Sequence, residues 1–177
     1  MKIMINPNNL TVDDSFQIFH KVRAIIENDS GEFIISFEAG KCIFPGGKRE
    51  NGETDLEAIQ REIKEETGIS ISKDDFKELL TLETIYNNYY DYRTDLIKSR
   101  YTSTVYYYAR TSEKINNKKT SLTNVEIEQN YKAFYVNKNK LIEMIMEDHS
   151  NATNGEKFDE ENRIVTEYFF ENKGYQM

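Results

Sequence analysis

Four residue types are scarce in this chain of 177 residues: it has no tryptophan, one cysteine, two prolines and two histidines. The lone Cys42 excludes an internal disulfide, and no Cys–His spacing of a zinc site is present. Basic charge is also short, with 23 Lys and Arg against 31 Asp and Glu, a net charge of -8. That deficit argues against nonspecific binding to DNA or RNA, which needs a basic surface. It does not exclude a nucleotide, whose phosphates arrive with metal. No apolar run approaches the roughly 20 residues of a membrane span, and the mean hydropathy is -0.73. Met1–Ile5 is too short for the apolar core of a signal peptide, so a cytoplasmic protein with no membrane partner is expected. A Gly-rich phosphate loop ending in Gly-Lys-Ser/Thr is missing, which leaves an ATPase of that type unsupported. With no repeat or linker visible, residues 1–177 read as one domain.

What is present is a dense acidic stretch. Arg61-Glu62-Ile63-Lys64-Glu65-Glu66 reads as part of a helix capped by Thr54 or Asp55 and ended by Gly68. Glu62, Glu65 and Glu66 then fall at i, i+3 and i+4 on one face. Like charges so spaced repel by about 0.2–0.5 kcal/mol per pair. A solvated face tolerates that, and a divalent cation reverses its sign, since Mg²⁺ prefers carboxylate oxygens, phosphates and water. Leu56, Ile59 and Ile63 form a neighbouring apolar stripe, so the helix buries one side while its acids line a cleft. Ahead of it, Cys42-Ile43-Phe44 reads as a strand running into Pro45-Gly46-Gly47, a loop whose backbone can approach a ligand closely. Cys42 itself reads as a small buried hydrophobe.

Gly47 to Ile69 resembles the Nudix box, G-x5-E-x7-R-E-U-x-E-E-x-G-U with U a bulky aliphatic. Gly47, Glu53, Arg61, Glu62, Ile63, Glu65, Glu66, Gly68 and Ile69 fill every fixed position. The resemblance implies an α/β/α sandwich with a mixed sheet. It also implies hydrolysis of a nucleoside diphosphate linked to another group, X, with Mg²⁺ or Mn²⁺ as cofactor. Carried over by motif position, Glu62, Glu65, Glu66 and the Gly46 carbonyl hold metal. Glu53 pairs with Arg61, and Glu62 or an acid from another loop activates water.

The rest of the chain fits around the box. Residues 1–15 read as a loose arm or an edge strand. Strands are expected over 16–27, 32–37 and 41–44, then 81–92 and 100–110, with a short segment at 76–80 between. His20 and His149 read as structural. Tyrosine is plentiful at 12 residues, and most of it is expected to fill sheet faces. Tyr86 is singled out for substrate, because a tyrosine lies at a similar distance past the box in dinucleoside-polyphosphate hydrolases of the family. The segment 91–99 is expected to overhang the substrate. Residues 111–130 read as a long polar loop of the lid kind. This loop holds Glu126 and Glu128, of which Glu128 is the better candidate for the extra acid. A strand at 132–136, a helix at 140–147 capped by Asn137 or Asn139, and a last helix at 158–172 follow. The first of these helices is expected on the sheet face opposite the box helix. The last completes the domain or pairs with a second subunit in a homodimer.

Three further functions compete. A non-catalytic nucleotide sensor usually carries a degraded box, whereas this one is intact. An RNA 5′-end pyrophosphohydrolase needs a basic path for RNA. An isoprenoid diphosphate isomerase needs a catalytic cysteine, and Cys42 lies just ahead of Phe44-Pro45-Gly46-Gly47. The box sets the reaction, while the loops near 86–100 and 111–130 select X.

Overall fold

Strand β2 (Gln17–Asn28) carries alternating side chains to two different cores. Val22, Ala24 and Ile26 point to one core, and Ile25 to the other. The computed structural model describes residues 1–91 and 94–172. Tyr92, expected at a strand end, and Lys173-Gly174, expected to stop the last helix, lie outside the described residues.

The remaining elements are β1 (Lys2–Ile5), β3 (Phe33–Glu38), β4 (Lys41–Ile43), α1 (Asp55–Thr67), β5 (Lys77–Asp91), β6 (Leu96–Thr111), α2 (Asn124–Glu128), β7 (Lys132–Val136), α3 (Lys138–Met146) and α4 (Gly155–Asn172). Seven strands form one sheet in the order β1-β5-β6-β2-β3-β4, with β7 paired to β3. β2 and β6 are parallel, as are β1 and β5, while β5 and β6 are antiparallel, so the sheet is mixed. Residues 1–15 therefore contribute an edge strand rather than a loose arm.

α1 packs Ala58, Ile59 and Ile63 on the face of Val22, Ala24, Ile26 and Ile34. α3 and α4 bring Leu141, Ile145, Val165, Phe169 and Phe170 to the face of Ile25, Phe33 and Ile35. Successive residues of β2 and β3 point to opposite faces, so helices cover both sides and the architecture is the expected α/β/α sandwich. Asn137 caps α3, its Oδ1 accepting from Lys140 N at 2.9 Å. α4 starts three residues earlier than its acidic signals suggest. Cys42 is buried as expected, and burial pushes its thiol up to about 11.

Two segments differ from the sequence reading. β5 runs unbroken through residues 77–80 and reaches Asp91, and β6 begins at Leu96, so little loop is left to overhang anything. β5 stays long by taking a register shift between Tyr86 and Tyr89. The second difference lies in residues 111–130, which contain α2, a five-residue helix with a Thr123/Glu126 capping box. Such a short helix is set by its cap and its packing, not by an apolar period.

Candidate active site

The helix α1 is fixed at both ends. Thr54 accepts from Glu57 N and Glu57 answers at Thr54 N, a capping box. Gly68 ends the helix at φ 71°, and a Cβ there would stand 2.3 Å from Asn116 O. The segment after β6 closes over this end: Asn116 N donates to Thr67 O at 2.9 Å and Ser121 N to Glu65 O at 2.8 Å. Those carbonyls belong to the last turn, where intrahelical partners run out. The expected lid is therefore stitched to the box helix.

Arg61 organises the acids. Its Nε and Nη2 donate to Glu53 Oε1 and Oε2 at 2.7 and 3.0 Å, a two-point clamp. Its Nη1 donates to Glu62 Oε1 at 2.9 Å and Glu65 Oε2 at 3.1 Å, and Nη2 reaches Lys48 O at 3.2 Å. Glu53 Oε2 also accepts from Glu50 N. Thus one guanidinium ties the loop after Gly47 to the helix, as the Glu53–Arg61 pairing expected from the box requires.

Glu62 and Glu66 are buried, and Glu65 is half-buried. Burial pushes the Glu62 carboxyl up to about 7, against the pull of Arg61. Burial, then the neighbouring Glu62, holds Glu66 well above the usual carboxylate range, although Tyr131 and the Gly46 N–H bond it. The Gly46 N–H donates to Glu66 Oε2 at 2.8 Å. Pro45 O and Gly47 O accept from Ala24 N and Val22 N, so alternation turns the Gly46 amide away from β2. Backbone packing requires glycine at 46, whereas a side chain at 47 would displace the Glu62 carboxylate. A Cβ on Gly46 would lie 2.2 Å from Val22 O, and one on Gly47 would lie 2.5 Å from Glu62 Oε1.

These oxygens have the hard-donor chemistry of a divalent cation site. Among the described residues, no three acidic, His or Cys side chains converge closely enough to grip an ion as they stand. The reason is geometric: Arg61 takes an oxygen each from Glu62 and Glu65, while Gly46 takes one from Glu66. The donor chemistry fits a cation, which would compete with these hydrogen bonds for the carboxylate oxygens.

Gly46, Gly47 and Glu66 open onto a cleft of about 310 Å³. Its floor is one face of β2, at Gln17, Phe19, Lys21 and Arg23, every second residue. Lys41, Lys48, Arg100, Tyr89, Glu126 and Phe158 join the lining. Arg100 stacks between Phe19 at 4.6 Å and Tyr89 at 3.7 Å, and donates to Gln17 Oε1 from Nε and Nη2. Burial pushes the Tyr89 phenol up to about 12, with Arg100 opposing. Arg23 donates to Phe44 O.

Several expected site residues lie outside the lining of this cleft: Arg61 and Glu65 line a separate cavity with Glu57 and Lys73, and Tyr86 and Glu128 are placed elsewhere. The Tyr86 hydroxyl donates to Glu160 Oε2 at 3.1 Å, and its ring lines a separate cavity with Glu147, Asp148 and Lys157. The register shift puts Tyr89 on the same sheet face as Tyr86, and it is Tyr89 that reaches the cleft. Glu128 is exposed and lies outside the cleft lining, because the turn of α2 presents Glu126 instead. Glu126 stands close enough to Glu62 to raise its carboxyl further. Thr123 N holds Glu126 Oε2 at 2.6 Å. His20 is exposed, and His149 is buried against Asp159, Nδ1 to Oδ1 at 2.7 Å. The cleft residues Lys21, Arg23, Lys41, Arg100 and Phe158 carry no motif. Their trace in the sequence is the polar alternation Gln17, Lys21, Arg23 within an otherwise apolar strand.

A NUDIX domain model matches residues 20–165. No curated protein sequence matches the chain. Among solved structures, a MutT protein from Methanosarcina mazei Go1 is 18% identical over 89% of this chain and 96% of its own, with a TM-score of 0.55. The NUDIX domain of Shewanella oneidensis NrtR, complexed with ADP ribose, is 17% identical over 88% and 93%, with a TM-score of 0.54. A MutT NUDIX hydrolase from Burkholderia pseudomallei is 19% identical over 86% and 98%, with a TM-score of 0.54.

Proposed function

Because this chain belongs to the NUDIX family, we propose that it is a pyrophosphohydrolase which uses a divalent cation to hydrolyse the P–O–P bond of a nucleoside diphosphate linked to another group, X. The observation that carries this reading is the placement of buried Glu62 and Glu66 against Gly46-Gly47 at the mouth of a cation-lined cleft. Glu62, Glu65, Glu66 and the Gly46 carbonyl would hold Mg²⁺ or Mn²⁺. A cation bound there supplies Lewis-acid polarisation of the phosphoryl oxygens and a more acidic water.

The chain's own groups do the rest. Arg23, Lys48 and Arg100 meet the negative charge of the diphosphate and of the leaving phosphate. Tyr89 and Phe19, already stacked on Arg100, offer ring faces to a base. Arg61 keeps the carboxylates on one side of the cleft, and Glu53 keeps Arg61 in place. Glu126 is the loop acid that takes the proton of the attacking water, its Oε2 anchored by Thr123. The ADP ribose in the Shewanella domain is a nucleoside diphosphate joined to a sugar, the general class proposed here. A cytoplasmic location suits such a substrate; among the described residues no helix is long and apolar enough to cross a membrane.

The test is a panel of nucleoside triphosphates, dinucleoside polyphosphates, nucleotide sugars and ADP-ribose, incubated with Mg²⁺ or Mn²⁺ and resolved by chromatography. At least one should yield a nucleoside monophosphate or the corresponding phosphate product, and chelator should stop it. Binding without any product under every metal would favour the sensor reading instead.

A further inference from the structure

Lys41 is a buried lysine, 7% exposed, whose ammonium group opens onto the cleft. Among the described residues it has no hydrogen bond and no carboxylate within ion-pair distance, whereas the similarly buried Lys157 has Glu156 at 3.1 Å. Lys21, on β2, is half-buried and likewise has no carboxylate within ion-pair distance among the described residues. Both ammonium groups sit over one ring, that of Phe158 on α4, at 5.1 Å for Lys41 and 5.9 Å for Lys21. Glu38 and Glu161 are the nearest opposing charges. They lie beyond direct contact, and burial leaves both lysines less willing to stay charged than usual. The cleft is lined by five cations against four carboxylates, Glu38, Glu66, Asp91 and Glu126, and among the described residues neither Lys41 nor Lys21 has a direct counter-ion. Burying a cation without one is costly. A bound anion would repay that cost.

Lys41 comes from β4, Lys21 from the β2 floor and Phe158 from α4, none of them from α1, which carries the box carboxylates. We propose that Lys41 and Lys21, framed by Phe158, are a subsite for a phosphate group on X, separate from the scissile diphosphate. The inference rests on the hydrolase reading and narrows it: X is a phosphorylated moiety, as in a dinucleoside polyphosphate, rather than an uncharged sugar.

Two measurements test it. The first uses the metal-free protein in chelator, titrated calorimetrically with tripolyphosphate. Wild type should bind, Lys41→Gln and Lys21→Gln should each weaken binding about tenfold, the effect of one charge-assisted contact, and Lys41→Arg should largely restore it. No binding by wild type, or binding by both Gln variants as tight as by wild type, would overturn the subsite. The second compares KM for a dinucleoside tetraphosphate and a nucleoside diphosphate sugar. Lys41→Gln should raise the first about tenfold with kcat little changed and leave the second within about twofold. An equal rise for both would overturn the assignment to X. Should wild type split neither these compounds nor any other member of the nucleotide panel, the hydrolase reading fails, and the tripolyphosphate titration alone decides whether the lysines hold an anion. Thermal melts of each variant separate misfolding from lost binding, since Lys21→Gln changes a different strand from Lys41→Gln.

Discussion

At the scale of single residues, the decisive feature is a pair of carboxyls kept where carboxylates are costly. Glu62 is raised from the usual 4.5 to about 7, and Glu66 is raised well above its usual value, burial being the first cause of each. A carboxyl raised in the folded state binds protons on folding between the two values, so stability falls as pH rises through that window. In chelator, the melting temperature should therefore decline between pH 4.5 and 7, and Glu62→Gln should flatten part of the decline. Mn²⁺ binds the ionised form and releases protons, so it should raise the melting temperature more at about pH 8 than at about pH 6. A decline that Glu62→Gln leaves untouched would assign it to other groups. Glu126 and Glu128 supply a second contrast. Glu126→Gln should lower kcat roughly a hundredfold, the scale of general-base catalysis, while exposed Glu128→Gln leaves it nearly unchanged. The reverse order would restore the expectation drawn from the sequence.

At the scale of elements, two close approaches to glycine matter for α1, one to the Glu62 carboxylate at Gly47 and one to backbone at Gly68. Gly47→Ala would push a methyl into the Glu62 carboxylate, 2.5 Å away. It should abolish most turnover while the cooperative unfolding transition remains. Gly68→Ala meets both a left-handed φ of 71° and Asn116 O at 2.3 Å. It should cost about 1–3 kcal/mol in denaturant unfolding, within the range for strained backbone. It should also speed amide exchange at Asn116 and Ser121, whose N–H groups close the helix end. Unchanged exchange there would mean that the segment holds itself. α1 was legible in the sequence because its cap, apolar stripe and C-terminal glycine all act within one stretch. α2 was not, since five residues carry no period, and its place depends on contacts such as Ala39 N to Gln129 O. The placement of Tyr86 away from the cleft was hidden for a related reason. Distance along the chain says nothing of the register shift that hands the cleft to Tyr89 and gives the Tyr86 hydroxyl to Glu160.

At the scale of the whole molecule, charge is distributed against its own average. A chain of net charge -8 gathers Lys21, Arg23, Lys41, Lys48 and Arg100 around one cleft. Such a cleft draws a small polyanion, while the surrounding acidity repels a long one. Composition reveals only the average; the cleft is assembled from β2, β4, β6 and α4, whose meeting no local pattern records. The sandwich itself was readable, because strand alternation and two amphipathic helices fix which faces need cover. The central claim is that the acids of α1 hold a divalent cation, and calorimetric titration of Mn²⁺ into the chelated protein, with a non-hydrolysable nucleoside diphosphate analogue present, tests it most directly. Wild type should take up the ion, and Glu65→Gln and Glu66→Gln should each weaken uptake by tenfold or more. Uptake that is absent in wild type, or unchanged in both variants, would contradict it.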